Sequence, residues 1–275
     1  MISKELNDFL KSKKTWIIVF AMFLIPMIDL AMNIYSSYWD FWTHRDAYSD
    51  YLAPDRIFHP SKGAFLAGTS VGHMPQMLLV WLMPIFLLLM YSDTYIKEYQ
   101  LSYHHIISTR IQNRKIFSAK ILTGFIIGFT TVFLSMSLNY IFAWIVFREG
   151  VSFGGLESMI GSDMKLLSVS LQYPIITYII YIFMFSLISG LYSASCVSLS
   201  FCFKTYKLLY GTCIVVWFLQ ILSPFSLTFV IQPFIEYGPG RIVPSVVIFL
   251  MLVSASLAVG YYSKVKYERI YKNFI

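Results

Sequence analysis

Apolar residues run through this chain in long blocks separated by short polar stretches. Six blocks fall at about residues 15–35, 72–91, 116–147, 173–202, 207–223 and 242–263. A helix needs about 20 apolar residues to cross a hydrocarbon core. The pattern therefore predicts an all-α membrane protein, with six transmembrane helices forming one domain over 15–275. The block at 116–147 is longer than a bilayer requires, which predicts a tilted or projecting helix. Pro75 lies in the first turn of the second block and Pro84 inside it, where proline permits a kink. The basic start followed by an apolar run also suits a secretion signal. Pro26 and Asp29 interrupt that run, however, and no small-residue cleavage site follows.

The polar stretches have patterns of their own. Residues 1–14 predict an amphipathic helix on the membrane surface. Ile2, Leu6, Phe9 and Leu10 share one face, and Lys4, Glu5, Asp8, Lys11 and Lys14 lie mostly on the other. Ser36–Val71 carries Trp39, Trp42, Tyr48 and Tyr51 among several acids, which predicts a loop packed in the headgroup layer. A binding surface for an amphipathic or lipidic substrate is the second reading of that loop. Residues 224–241 are apolar but broken by Pro224, Pro233, Gly238, Pro239 and Gly240, which predicts short re-entrant or interfacial helices. In the fourth block Ser186, Gly190, Ala194 and Ser198 recur every four residues. Small side chains on one stripe let helix backbones approach closely in lipid, so helix packing is the first reading and a polar translocation path the second.

Composition agrees with the pattern. The chain is 57% hydrophobic and 13% charged, against roughly 45–50% and 25% in soluble domains. The charges sort by side. The segments 1–14, 92–120, 203–207 and 264–275 hold 15 of the 21 Lys and Arg, and 36–71, 148–172 and 224–241 hold 6. Positive residues accumulate on the cytoplasmic side, so the bias predicts a multi-pass cell-membrane protein with both termini in the cytoplasm. The basic residues are not interleaved with a soluble fold, which argues against nucleic acid as a partner.

Little catalytic chemistry is legible. No G-x-x-x-x-G-K-[ST] loop is present, so ATP-driven work would need a second chain to hydrolyse ATP. Cys196, Cys202 and Cys213 all lie in apolar stretches and read as packing residues rather than a disulfide or metal framework. The five histidines, His44, His59, His73, His104 and His105, are not spaced to clamp a metal or a haem. Asp29 is the one acid placed within a span, which makes it a candidate intramembrane polar site. It lacks a second intramembrane acid or base to relay protons.

The central polar segment, Ser92–Lys120, carries Lys97, Arg110, Arg114, Lys115 and Lys120 against Asp93 and Glu98. Ile96, Tyr99 and Tyr103, then Ile107 and Ile111, recur at helical spacing, which predicts a short amphipathic helix within 92–115. With six spans and an amphipathic leader, this segment makes the chain resemble the permease subunit of type-2 ATP-binding-cassette (ABC) exporters. Members of that family commonly show Glu, then Gly-Thr, Pro, a basic residue and a Lys at the start of the third span. Here Glu98, Arg114 and Lys120 match, whereas the Gly-Thr positions read Leu101-Ser102 and no proline occurs in 92–120.

The resemblance implies that residues 1–14 are a connecting helix and that the segment around Asp93–Tyr103 is a coupling helix docking on a cytoplasmic ABC ATPase subunit. It also implies that 224–241 is the outer re-entrant segment and that a second permease, identical or not, completes the path. ATP and Mg would bind the partner, leaving this chain without a cofactor or catalysis of its own. The interface candidates are Asp93, Lys97, Glu98, Tyr99, Arg110 and Arg114. The cargo implied is a peptide, an antibiotic or a lipid-like molecule. The alternative reading is an intramembrane enzyme, a lipid-modifying transferase or protease, working without an ATPase. A secondary carrier would show an inverted repeat, and residues 15–147 and 173–263 show none.

Overall fold

A computed structural model describes residues 1–43, 58–67, 74–153, 156, 165–235 and 237–267. Most of the aromatic loop (44–57), His44, His73 and the basic tail beyond 267 lie outside the described residues. Helix α1 (Ile2–Lys11) leads into α2 (Lys13–Thr43), and a short α3 (Pro60–Gly63) precedes α4 (Met74–Leu87). The helices α5 (Thr94–Gln100) and α6 (Tyr103–Arg110) form a hairpin before the long α7 (Asn113–Val146). Then follow α8 (Lys165–Gln172), α9 (Pro174–Ser200), α10 (Tyr206–Leu222), the single turn α11 (Thr228–Ile231) and α12 (Pro239–Tyr261).

Five helical stretches are long and apolar enough to cross a membrane: Lys13–Ser36, Met74–Ser92, Asn113–Val146, Pro174–Ser200 and Pro239–Lys266. The apolar α10 is shorter, at 17 residues. Pairing between strands is limited, among the described residues, to one isolated bridge between Phe58 and Ser152. The chain is an all-α, multi-pass membrane protein.

The helix ends follow local chemistry. Pro174 and Pro239 open α9 and α12, where proline's fixed φ and missing N–H cost nothing. The 34 residues of α7 span about 51 Å, well beyond a core of about 30 Å. The expected amphipathic helix of 92–115 is instead a hairpin, because Ser102 takes a left-handed conformation (φ 55°) and ends α5 after Gln100. Among the described residues of 224–241, expected to form short helices, helix is limited to the turn α11 and the opening of α12 at Pro239. Leu227, Val230, Ile231 and Phe234 fold inward there.

Two prolines shape the bundle. Pro26 has no N–H for the Met22 carbonyl, and the Ser135 hydroxyl of α7 donates to that oxygen at 2.9 Å. Pro84 likewise frees the Val80 carbonyl, and the Trp217 indole of α10 donates to it at 2.8 Å. An unbonded carbonyl is costly in hydrocarbon, so each proline fixes which side chain must stand beside it.

Close backbone approach joins α9 to its neighbours. A Cβ on Gly128 would lie 2.7 Å from Ser193 Cβ and 3.0 Å from the Ser189 carbonyl oxygen. One on Gly190 would lie 3.0 Å from the Phe125 carbonyl oxygen. On the other side of α9, a Cβ on Gly260 would lie 2.4 Å from the Ser198 carbonyl oxygen. Ser198 Oγ donates to the Ser256 carbonyl at 2.8 Å, and the Ser195 and Ser256 hydroxyls pair.

At the end of the bundle remote from α1, residues 60–66 enter the core rather than the headgroup layer. Ser61, Ala64, Phe65 and Leu66 are buried. Their polar groups are met from the spans. Asn139 Oδ1 accepts from the Phe65 N–H and the Tyr178 hydroxyl accepts from the Leu66 N–H, both at 3.0 Å. Asn139 Nδ2 also donates to the Pro26 carbonyl at 2.8 Å, so one amide joins α2, α7 and this plug. The sequence gives little warning, since the plug is short and neighbours a polar loop.

The proline arrangement yields a testable rescue. Trp217→Phe leaves the Val80 carbonyl unbonded and is expected to destabilise the protein by about 1–3 kcal/mol. Adding Pro84→Ala restores a backbone N–H for that carbonyl and should recover part of the loss. Thermal unfolding in detergent measures both. If Pro84→Ala deepens the loss in the Trp217→Phe background, the indole is not serving the proline.

Candidate functional site

The polar residues converge at the end of the bundle that carries α1, α5 and α6. The local geometry begins four residues after Pro84, where Leu88–Ser92 winds as a π-helix and the Asp93 N–H bonds the Leu88 carbonyl. This wider turn buries Tyr91 and Ser92 and delivers the chain into α5. Such segments are uncommon and concentrate at functional sites.

Beside this turn lies a buried ion cluster drawn from three elements. Lys120, in the second turn of α7, is 1% exposed. Its Nζ donates to Glu98 Oε1 of α5 at 2.8 Å and lies 3.2 Å from both carboxylate oxygens of Glu5 in α1. The Tyr91 hydroxyl donates to Glu5 Oε2 at 2.9 Å. An ammonium carries three donors and no acceptor, and here it faces two carboxylates in a water-poor setting. Burial pushes the Glu98 carboxyl above the usual range; Lys120 pulls it back and the Glu5 charge adds to the rise.

A second set of contacts flanks the first. Asp93 Oδ2 accepts from the Tyr210 hydroxyl of α10 at 3.0 Å and lies 3.6 Å from Lys14 Nζ. Burial raises the Asp93 pKa, and Lys14 and Tyr210 oppose that rise. Lys264, buried in the π-helical turn that ends the last span (Tyr262–Tyr267), donates to the Tyr95 hydroxyl at 3.0 Å. The segment Asp93–Gln100 is thus fastened to α2, α7, α10 and the last span, and through Lys120 to α1.

The predicted site residues separate into three places. Asp93 and Glu98 turn inward to the contacts just described, and Tyr99 is half-buried, its ring stacked on His104 at 4.6 Å. Lys97, Arg110 and Arg114 are exposed. Ser186, Gly190, Ala194 and Ser198 are all buried in α9, with Gly190 against α7 and Ser198 against α12. Asp29 stands apart, about 24 Å along α2 from Lys13. It is 1% exposed, and Asn33 Nδ2 donates to it at 3.3 Å.

Glu5, Lys14, Tyr91, Tyr95, Tyr210 and Lys264 were not read from the sequence as site residues. One signal for Glu5 was present: it lies three residues after Ile2 and four before Phe9, on the apolar stripe. Among the described residues no three His, Cys, Asp or Glu side chains form a metal-holding group. Moving α5 either carries α1 and α7 with it or opens a buried ion pair.

The pKa directions set an acid dependence. The folded protein holds the Glu98 and Asp93 protons more tightly than the unfolded chain does. The resulting stability is fully present below the ordinary values, 4.5 and 3.8, and is lost as pH rises through the raised ones. Melting temperature should therefore rise on acidification through that window, and Glu98→Gln should flatten the rise. An unchanged slope in Glu98→Gln would show that this carboxyl titrates normally.

No protein-family model matches the chain, and no solved structure does. The chain is 33% identical over 250 residues to a Bacillus subtilis (strain 168) protein described as uncharacterized protein YybM. The match covers 90% of this chain and 92% of that relative. Identity of this extent makes the chain a member of the YybM family.

Proposed function

We propose that this chain is the permease subunit of an ABC exporter, with six spans, α10 being the fifth, and both termini in the cytoplasm. The observation that carries the reading is the two-sidedness of the α5–α6 hairpin. Its inner side is fastened to the bundle through Lys120, while its outer side exposes Leu101 at 70%, Ile106 at 55% and Tyr103 at 39%, with Lys97 and Arg110 nearby. Clustered apolar residues rimmed by charge mark protein interaction sites. A hairpin that grips the bundle inside and offers an adhesive face outside suits a device pushed by a soluble partner.

In this mechanism two ATPase subunits bind ATP and Mg and close on each other. Each presses on one hairpin. Glu98, Lys120 and Glu5 pass the displacement to the third span and the connecting helix. The spans then shift to open or close a path shared with a second permease, for a peptide, an antibiotic or a lipid-like cargo. The permease forms no covalent bonds.

Co-purification from native cells in mild detergent tests this. The wild-type chain should recover a soluble ATPase, and Leu101→Asp/Ile106→Asp should lose it while leaving the melting temperature within a few degrees. Recovery of the wild-type chain alone, under conditions that keep other membrane complexes whole, would overturn the exporter reading and favour the enzyme alternative.

A further inference from the structure

A groove of about 500 Å³ opens where α1 meets the first turns of α7. Its wall carries Arg114 and Lys115, with Gln112 and Ser118 as neutral hydrogen-bonding groups. Ile2 and Leu122 supply apolar surface on either side. Among the described residues no acidic side chain lines it. In α1, Glu5 is turned inward to Lys120 and Tyr91, and among the described residues no ion pair engages Arg114 or Lys115.

The groove also has a direction. Its cations sit in the first turn of α7, and Leu122, 45% exposed, lies two turns further into the apolar span. A ligand filling it therefore needs an anionic head at the water side and a hydrocarbon body along the helix. A small anion would leave the apolar wall uncovered, and a peptide acid would have to enter the plane of the membrane surface beneath α1. Phosphate oxygens form strong charge-assisted bonds with guanidinium and ammonium groups, and basic pockets between membrane helices bind acidic lipid heads.

We propose that this groove is a binding site for an acidic phospholipid. Its phosphate meets Arg114 and Lys115, and an acyl chain lies along Leu122. The site is independent of the exporter reading. A lipid seated there would contact α1 and α7 together, on the side of α7 facing away from the Glu5–Lys120–Glu98 cluster. Arg114 is thereby assigned a lipid role in place of the partner contact expected from the sequence.

Native mass spectrometry of the purified full-length chain tests the site, with phosphatidylglycerol or phosphatidylcholine added in detergent. The wild type should retain phosphatidylglycerol in preference to phosphatidylcholine. Arg114→Ala/Lys115→Ala should reduce that retention on the order of 25-fold, each cation being worth about a factor of five. Lys97→Ala/Arg110→Ala, the same charge change outside the groove, should retain the lipid as the wild type does. Equal retention by the groove variant and the wild type would overturn the proposal. So would equal loss in both double variants, or full displacement of the lipid by millimolar inorganic phosphate, which would identify a free-anion site. A groove variant that elutes and melts as the wild type does keeps the comparison free of misfolding.

Discussion

One desolvated ammonium determines how this molecule is joined. Lys120 lies almost wholly out of water between two carboxylates that belong to different helices. A buried charge is tolerable only while its partners stay in place, and removing one partner of such a pair costs about 3–5 kcal/mol. Neither Glu5 nor Glu98 can drift without exposing that cost. A surface helix and a short hairpin, each too small to hold itself in place, are both tied to the bundle by this side chain, with Tyr91 on Glu5 and Tyr210 and Lys264 on the α5 segment adding to it.

The rest of the bundle is stiff where this cluster needs it to be. α7 carries Lys120, and it is locked to α9 by glycine contacts that admit no side chain. Farther along α7, Ser135 and Asn139 hydrogen-bond the α2 backbone at Met22 and Pro26. Both prolines thus act as fixed points rather than loose joints, since another helix supplies the missing donor at each freed carbonyl. The remote end is filled by the 60–66 plug on the Asn139 and Tyr178 side chains. The α5 helix is therefore bonded to a helix, α7, that is itself packed backbone to backbone on α9.

Much of this was legible in the sequence, for physical reasons. The apolar blocks located the long helices because hydrocarbon admits little else, and the ends moved only by a few residues except in α2, which continues to Thr43. The four-residue stripe in α9 marked buried positions because small side chains have little other use there. Glu98 and Lys120 were singled out as motif positions, but their contact was not visible, because residues 22 apart pair only when a hairpin folds back between them. The left-handed Ser102 that makes that fold carries a weak signal compared with glycine. Glu5 was assigned to the polar face because acids usually face water, and a buried lysine from another helix overrode that preference. The plug was illegible because its partners, Asn139 and Tyr178, lie more than 70 residues away along the chain.

Amide hydrogen exchange of Lys120→Met against the wild type tests the account most directly. If Lys120 holds both attachments, the amides of Ile2–Lys11 and Thr94–Gln100 should lose protection together, while those of α9 and α12 stay as protected as in the wild type. Loss confined to one of the two helices, or no loss in either, would show that α1 and α5 are held by something other than this lysine.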